Sequence, residues 1–422
     1  MSDRPAPGPT DAAAAAAAEA AARGGYGKLV AFLAARSGDL AGAEDALADA
    51  FASALAAWPR TGVPENPEAW LLTAARRRLI DAARARARRS EAATRLRPLL
   101  EGLEAAGDGE ALPDRRLALM LACAHPALDP ALHAPLMLQT VLGLDAAMIG
   151  GVFLVSPAAM SKRLSRAKAK IRDAGVPFAE PGAEELPARL APVLDAVYAA
   201  YAQGWSDPQG ADPARRELAG EALFLARLVA GLAPASAEAQ GLLALILHTL
   251  ARREARRDPQ GRYAPLDAQD PARWNGAMIA EAEAVLRRAA GLGVLGRYQL
   301  EAALQSAHAD RRRYGRDTRA ETVALYDALL AMTGSPVVAA NRAMAVAELR
   351  GAQEGLALLE AAAQDPRLAA YQPAWAARAE LLARLGRRAE AAEACQRAAG
   401  LAADPAVRAY LMEKLAALEA GG

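Results

Sequence analysis

The sequence is short of almost everything that builds a sheet, a metal centre or an oxidised scaffold. Two of its 422 residues are cysteine, Cys123 and Cys395, too far apart in sequence for a disulfide framework or a zinc spacing. That usage fits a reducing, cytoplasmic compartment. The four histidines (His125, His133, His248 and His308) show no ligand spacing, so neither a metal nor any other cofactor is expected. Aromatic residues make up 5% and β-branched runs are nearly absent, which argues against strands. No apolar run reaches the length of a membrane span, and no membrane association is expected. Residues 1–23 contain a long alanine run with neither a basic start nor a cleavage signature, which reads as a disordered or frayed tail and not a signal peptide. A Gly-rich phosphate loop, paired carboxylates in a pocket pattern and a nucleophile–base arrangement are all missing, so the chain is not expected to be an enzyme.

What is present is alanine, the best helix former, in a chain that is 53% hydrophobic. The expected fold class is all-α. At 422 residues the chain exceeds one compact core, and two or three domains are the default. The formal net charge of +1 conceals an uneven distribution. From Glu68 to Arg97 nine arginines face three acids, and from Pro157 to Asp173 six Lys or Arg face one Asp. Two separated basic segments are the electrostatic footprint of a nucleic-acid partner.

Turn and capping signals divide the chain into a tail (1–24), a helical domain (25–90), a linker (91–113), a second helical domain (114–175), a second linker (176–187) and a long helical array (188–422). In the first domain a helix is expected over Tyr26–Ala35. A second runs from Leu40 to Trp58 and is stopped by Pro59. A third starts at Pro67 with an apolar stripe of Leu72, Ala75, Leu79 and Ala83. Arg77, Arg84 and Arg88 fall on its other side, suited to a phosphate backbone. In the second domain a short helix over Asp145–Phe153, a tight turn, and a basic helix opened by Ser156-Pro157 make helix-turn-helix patterning. Met160, Leu164, Ala167 and Ile171 form the apolar face of that basic helix. Ala158, Ala159, Ser161 and Lys162 are then the groove-facing set, and Arg163, Arg166, Lys168 and Lys170 sit on the backbone of the duplex.

In the array, Ala343–Pro366 and Ala379–Pro405 echo one another: helix, Gly-containing turn, then a helix with small residues at the crossing, as stacked helical hairpins require. Around the longest polar loop, Arg257–Pro271, cluster Arg252, Arg256, Gln269, Asp270, Arg273 and Trp274, with Gln299, Gln305 and His308 soon after. They read as loop and helix polarity, with a ligand or peptide pocket as the alternative.

The string from Ala43 to Phe51, then Trp58, then Pro67 to Arg76, then Leu79-Ile80-Asp81 and an arginine run, resembles region 2 of the sigma-70 family. Leu136 to Arg172 resembles region 4, and no region 3 lies between them, which is the mark of the extracytoplasmic-function (ECF) group. This resemblance covers about Tyr26–Gly175. It implies a small region 2 bundle and a region 4 helix-turn-helix that bind core RNA polymerase, through its β′ clamp and β flap, and promoter DNA. It places Glu44, Asp45, Asp49 and Phe51 on the surface that docks on the β′ coiled coil. It assigns Glu68–Arg89 to the −10 element, with Arg77, Arg84 and Arg88 as contacts and Thr61 and Asn66 near a flipped base. It assigns the second basic helix to the −35 element, through Ala158, Ala159, Ser161, Lys162, Arg163, Arg166 and Lys168. Gly150-Gly151 departs from the family pattern and weakens the first helix of the motif. The extension beyond about Leu186 is similar to the tetratricopeptide-like (TPR-like) C-terminal domain of one subgroup, which implies regulation in cis or a protein or peptide partner. A helix-turn-helix regulator with a helical-repeat sensor, and a pure scaffold, are the competing readings.

Overall fold

The structure, a computed structural model, describes residues 9–87, 113–153, 155–179, 181–182, 184–205 and 213–420. Among them every regular element is a helix, apart from an isolated antiparallel bridge between Arg257 and Tyr263. The chain divides into two compact units, Met1–Gln203 and Gly204–Gly422.

The first unit holds α1 (Pro9–Ser37), α2 (Leu40–Thr61), α3 (Pro67–Ala87), α4 (Arg116–Cys123), α5 (Pro130–Thr140), α6 (Ala146–Phe153), α7 (Pro157–Asp173) and most of α8 (Leu186–Trp205). The boundary thus falls inside α8, not in the segment 176–187 expected as a linker. The expected tail is helical from Pro9 onward, because Ala14, Ala18 and Ala21 recur every three or four residues and are buried. Helix α2 begins on Asp39, whose carboxylate accepts from the Gly42 N–H at 3.0 Å. It runs through Pro59 to Thr61, although Pro59 forfeits the bond an N–H there would donate to Leu55 O, and Gly62 closes it at φ 84° with its N–H donating to Trp58 O. Trp58 is buried and meets Trp70 of α3 edge-on, ring centroids 5.5 Å apart. The buried stripe of α3 is Leu71, Ala75 and Leu79, one position earlier at its start than the expected Leu72, which is only half-buried.

The succession of α6, turn and α7 is set by two caps and one glycine. Asp145 accepts from the N–H groups of Ala147 and Met148, both at 2.8 Å, and Ser156 from Ala159. Val155 folds back so that its N–H donates to Gly150 O, and a Cβ on Gly150 would lie 2.4 Å from Val155 O. The glycine that weakens α6 by propensity is what lets the turn close. Met160, Leu164, Ala167 and Ile171 are all buried, as their spacing predicts.

The second unit stacks α9 (Pro213–Leu232), α10 (Ala237–Ala251), α11 (Gly276–Gly291), α12 (Arg297–Tyr314), α13 (Arg319–Thr333), α14 (Pro336–Arg350), α15 (Ala352–Ala362), α16 (Gln372–Arg384), α17 (Arg388–Leu401) and α18 (Pro405–Ala420). The two echoing segments are hairpins. Gly351 (φ 107°) turns α14 into α15 and Gly386 (φ 75°) lies in the turn from α16 to α17. At the first crossing a Cβ on Gly355 would lie 2.4 Å from the Ala347 Cβ. The loop between α10 and α11 is tied far along the chain: Arg257 pairs with Asp404 at 2.7 Å, and Tyr263 meets Tyr410 edge-on at 5.6 Å.

Helix α10 is the centre of this unit, buried continuously from Ala237 to Thr249 apart from Glu238. A Cβ on Gly241 would lie 2.3 Å from Gln299 N, a backbone atom of α12 that no rotamer change can move. Gly241→Ala inside a helix ordinarily gains about 1 kcal/mol, but here overpacking of about 1–3 kcal/mol opposes it. The expected outcome is a net loss of about 1 kcal/mol or more in chemical denaturation. A midpoint equal to or above wild type would show that α10 and α12 separate without cost.

Candidate nucleic-acid interface

Helix α3 buries Leu71, Ala75 and Leu79 against its neighbours and so turns Arg77 and Arg84 outward, where both are exposed. Arg78 is exposed as well and lies 3.5 Å from Asp49 of α2. At more than half exposure for each side chain, that pair contributes little to stability. Arg88 lies outside the described residues. Thr61, the last residue of α2, and Asn66, in the loop before α3, are both exposed. Thr61 is also tied back to its own helix, its hydroxyl donating to Ala57 O at 3.1 Å. Asn66 caps α3: its amide oxygen accepts from the Ala69 N–H at 3.0 Å. The cap leaves the amide nitrogen as the group Asn66 offers to a ligand.

On α7 the burial of Met160, Leu164, Ala167 and Ile171 fixes the opposite face. Ala158, Ser161, Lys162, Arg163, Arg166 and Lys170 are exposed, and Ala159 is half-buried beside the Ser156 cap. Among the described residues no carboxylate pairs with Lys162, Arg163 or Arg166. The result is a capped, well-anchored helix with a continuous cationic outer face.

Lys168 is the exception. Its side chain is 12% exposed and its Nζ lies 2.6 Å from Oε2 of Glu44, itself 14% exposed. The structure thus joins one residue expected on DNA to one expected on the polymerase. Burial holds the Glu44 carboxyl above its ordinary value, and Lys168 pulls it only part of the way back. Desolvation therefore offsets much of the attraction. Around the pair, Asp45 and Asp49 are exposed and Phe51 is half-buried. Tyr26 is driven to a higher pKa by burial first, then by Glu44 and Asp45. Gly27 sits so close to α5's end that a Cβ would lie 1.9 Å from Val141 O. Sequence reasoning missed the pair because its members are 124 residues apart. Glycine in a helix costs about 1 kcal/mol against alanine, but Gly27 could not be singled out from sequence, since Gly24 of the same helix has open space where its Cβ would stand.

The polar cluster in the second unit is spent largely on its own loop. Arg273 donates to the carbonyls of Arg257 and Glu254, Arg312 to that of Gln269, and Arg252 to the Gln305 amide at 2.7 Å. Gln269, Trp274 and Gln299 are buried, and Asp270 caps the short turn at Pro271. Irregular backbone must find partners when it is covered, and these side chains supply them. Among the described residues no three His, Cys, Asp or Glu side chains are grouped to hold a metal ion, and no helix is long and apolar enough to cross a membrane.

Comparison with known proteins yields two matched segments. Residues 25–89 match sigma-70 region 2, and residues 189–290 match a family of unknown function, DUF6596. A relative in Rhizobium meliloti (strain 1021), itself described as an uncharacterized protein, is 37% identical over 380 residues, covering 88% of this chain and 89% of its own. No solved structure matches.

Proposed function

We propose that the chain, which is in one family with its Rhizobium meliloti relative and carries a sigma-70 region 2 match over residues 25–89, is an ECF-type sigma factor that directs core RNA polymerase to promoters through two separate DNA-reading helices. The observation that carries this reading is α7, whose cationic face is exposed while Met160, Leu164, Ala167 and Ile171 anchor it. A region 2 match over residues 25–89 takes in the C-terminal part of α1 with α2 and α3, and a second reading helix on a helix-turn-helix is what a −35 contact requires. Arg77 and Arg84 then face the −10 duplex, and Asp45, Asp49 and Phe51, with Glu44, face the basic β′ coiled coil. The second unit is read as a TPR-like helical stack that regulates or supports activity through a protein or peptide partner. The molecule works without catalysing a reaction of its own, in the cytoplasm.

The test is run-off transcription with purified core polymerase on a promoter library. The full-length chain is expected to bind core tightly, to select a small promoter set, and to hold duplex DNA weakly when alone. Specific, tight binding to duplex DNA with no affinity for core would instead identify a helix-turn-helix repressor or activator.

A further inference from the structure

The turn from α11 to α12, residues Leu292–Gly296, carries no polar side chain. Leu292, Val294 and Leu295 are 37%, 66% and 64% exposed, and Gly293 between them is exposed too, so the turn protrudes. Elsewhere in this unit exposed apolar side chains such as Met332, Leu349 and Met412 stand singly. Both ends of the turn are pinned. The N–H groups of Leu292 and Gly293 donate to Ala289 O and Ala290 O at 3.1 and 3.2 Å, and Gly293 takes φ 70°. Beyond it the N–H groups of Arg297 and Tyr298 donate to the Glu238 carboxylate of α10, and a Cβ on Gly296 would lie 2.4 Å from Glu238 Cδ. The tip is therefore held in one shape with its apolar groups outward. One turn back on α11, Arg287 and Arg288 are exposed. Among the described residues no carboxylate pairs with Arg288. The acids of α11 and of the start of α12 are engaged: Glu281 with Arg227 at 2.8 Å, Glu283 with Ser306 at 2.5 Å and Glu301 with Arg297 at 2.8 Å.

We infer that this tip is a peripheral membrane-docking site, seating Leu292, Val294 and Leu295 in the interface of an anionic bilayer with Arg287 and Arg288 at its phosphate headgroups. The sequence, lacking a spanning run, gave no reason to expect a membrane; an interfacial contact needs no such run. The chemistry favours a bilayer over a groove on another protein. A few hundred Å² of apolar tip falls well short of the ~800 Å² per partner of a stable protein interface. Such an interface also carries about one hydrogen bond per 100–200 Å², and the tip has no side chain to make one. A bilayer asks only for apolar insertion and positive charge. The spacing fits as well. Arg288 stands four residues, about 5.4 Å along the helix, behind Leu292, and interfacial apolar groups seat about 5–10 Å deep. With the tip at the acyl boundary, the guanidinium groups therefore lie among the headgroups, their stems on the apolar side. Each apolar side chain contributes about tenfold to binding and each arginine about fivefold. The product is of the order of 10⁴, that of a single myristoyl chain, so the contact is reversible.

The test sediments the full chain with vesicles of phosphatidylglycerol and phosphatidylcholine in equal parts, or of phosphatidylcholine alone, at about 0.1 M salt. Half the chain is expected on the mixed vesicles at about 0.1 mM accessible lipid. Phosphatidylcholine alone should require about 25-fold more lipid. Val294→Ser with Leu295→Ser should weaken binding to mixed vesicles about 100-fold. Both positions are exposed, so the thermal midpoint should not move. Arg287→Ala with Arg288→Ala should weaken binding to mixed vesicles about 25-fold and leave binding to phosphatidylcholine unchanged. The cationic face of α7 is also drawn to anionic lipid, so a second readout fixes the place of contact. An environment-sensitive dye on Leu295→Cys should brighten with mixed vesicles, whereas the same dye on Met412→Cys should not, the native cysteines being buried. Binding that survives the serine pair, or a Leu295→Cys dye that does not respond, overturns the site. So does a wild-type chain that ignores vesicles while the serine pair weakens affinity for core polymerase, since the tip is then a protein contact. The vesicles contain neither polymerase nor DNA, so failure of the membrane site and failure of the sigma reading are separate results.

Discussion

Replacing Lys162, Arg163 and Arg166 together by alanine is expected to lower promoter-directed transcription by roughly 500-fold in 0.1 M salt. The figure follows from counterion release. Each phosphate left unneutralised weakens duplex binding by about eightfold at that salt, relative to 1 M, and three such factors multiply. All three side chains lie on the exposed face of α7, away from Met160, Leu164, Ala167 and Ile171, so the substitutions leave the helix anchored. Alanine also preserves its helical propensity. Two readouts separate a DNA role from a general defect. The slope of log K against log salt for promoter binding by the holoenzyme should fall by about three. Affinity for core polymerase should stay within about twofold of wild type, since the docking face proposed for the β′ subunit lies on α2. An unchanged salt slope would mean that α7 does not touch phosphate.

The second large effect concerns acid sensitivity of the C-terminal unit. His308 on α12 is held neutral, its pKa lowered to about 4 from the usual 6.5, by burial first and then by the positive charges of Arg311 and Arg252. Glu348 and Asp267, which also face it, oppose the shift without cancelling it. The unfolded chain takes up a proton near pH 6.5 and the folded chain only near pH 4. Between those values the unfolded state therefore binds more protons, and stability is lost as pH falls. At 1.36 kcal/mol for each tenfold change in proton affinity, the loss from this one group is about 3 kcal/mol. His308→Gln removes the titration. Urea midpoints of the full chain at pH 7 and pH 4.5 should therefore differ less in the variant than in wild type. Equal pH dependence in the two proteins would show that His308 is solvated and titrates normally.

The elements easiest to read in the sequence were those with large side chains at a single helical period. Met160, Leu164, Ala167 and Ile171 have no competing register, and the exposed cationic face opposite them followed by subtraction. Helix α3 was less determinate because Leu71 and Leu72 are adjacent, and only the packing around Trp58 and Trp70 chooses between them. Alanine is harder still, since it is chosen equally for propensity and for close packing. The run at Ala14, Ala18 and Ala21 was therefore indistinguishable from a loose tail. Gly150 read as a weakness because its reason, the carbonyl of Val155, lies across a turn whose geometry no local pattern records. The arginines around the long loop read as loop polarity, with a ligand pocket left as the alternative, because sequence cannot show that backbone carbonyls of the loop itself are their partners. Lys168 looked equivalent to Arg163 and Arg166. Only tertiary structure, bringing α2 against α7, distinguishes the cation facing inward from those facing out.

The tie between the long loop and the last helix also sets a clock on synthesis. Helical stacks are held mostly by packing of each helix on the next one or two, which forms as soon as the partner has left the ribosome. The Arg257–Asp404 pair spans 147 residues. At about 5–20 residues per second, the loop waits roughly 7–30 seconds for its anchor to emerge. Through that interval the stack grows by local hairpins while the Arg257 guanidinium and the Tyr263 ring stay uncovered. Completion of this unit is thus a translational event, reached when Asp404 and Tyr410 arrive.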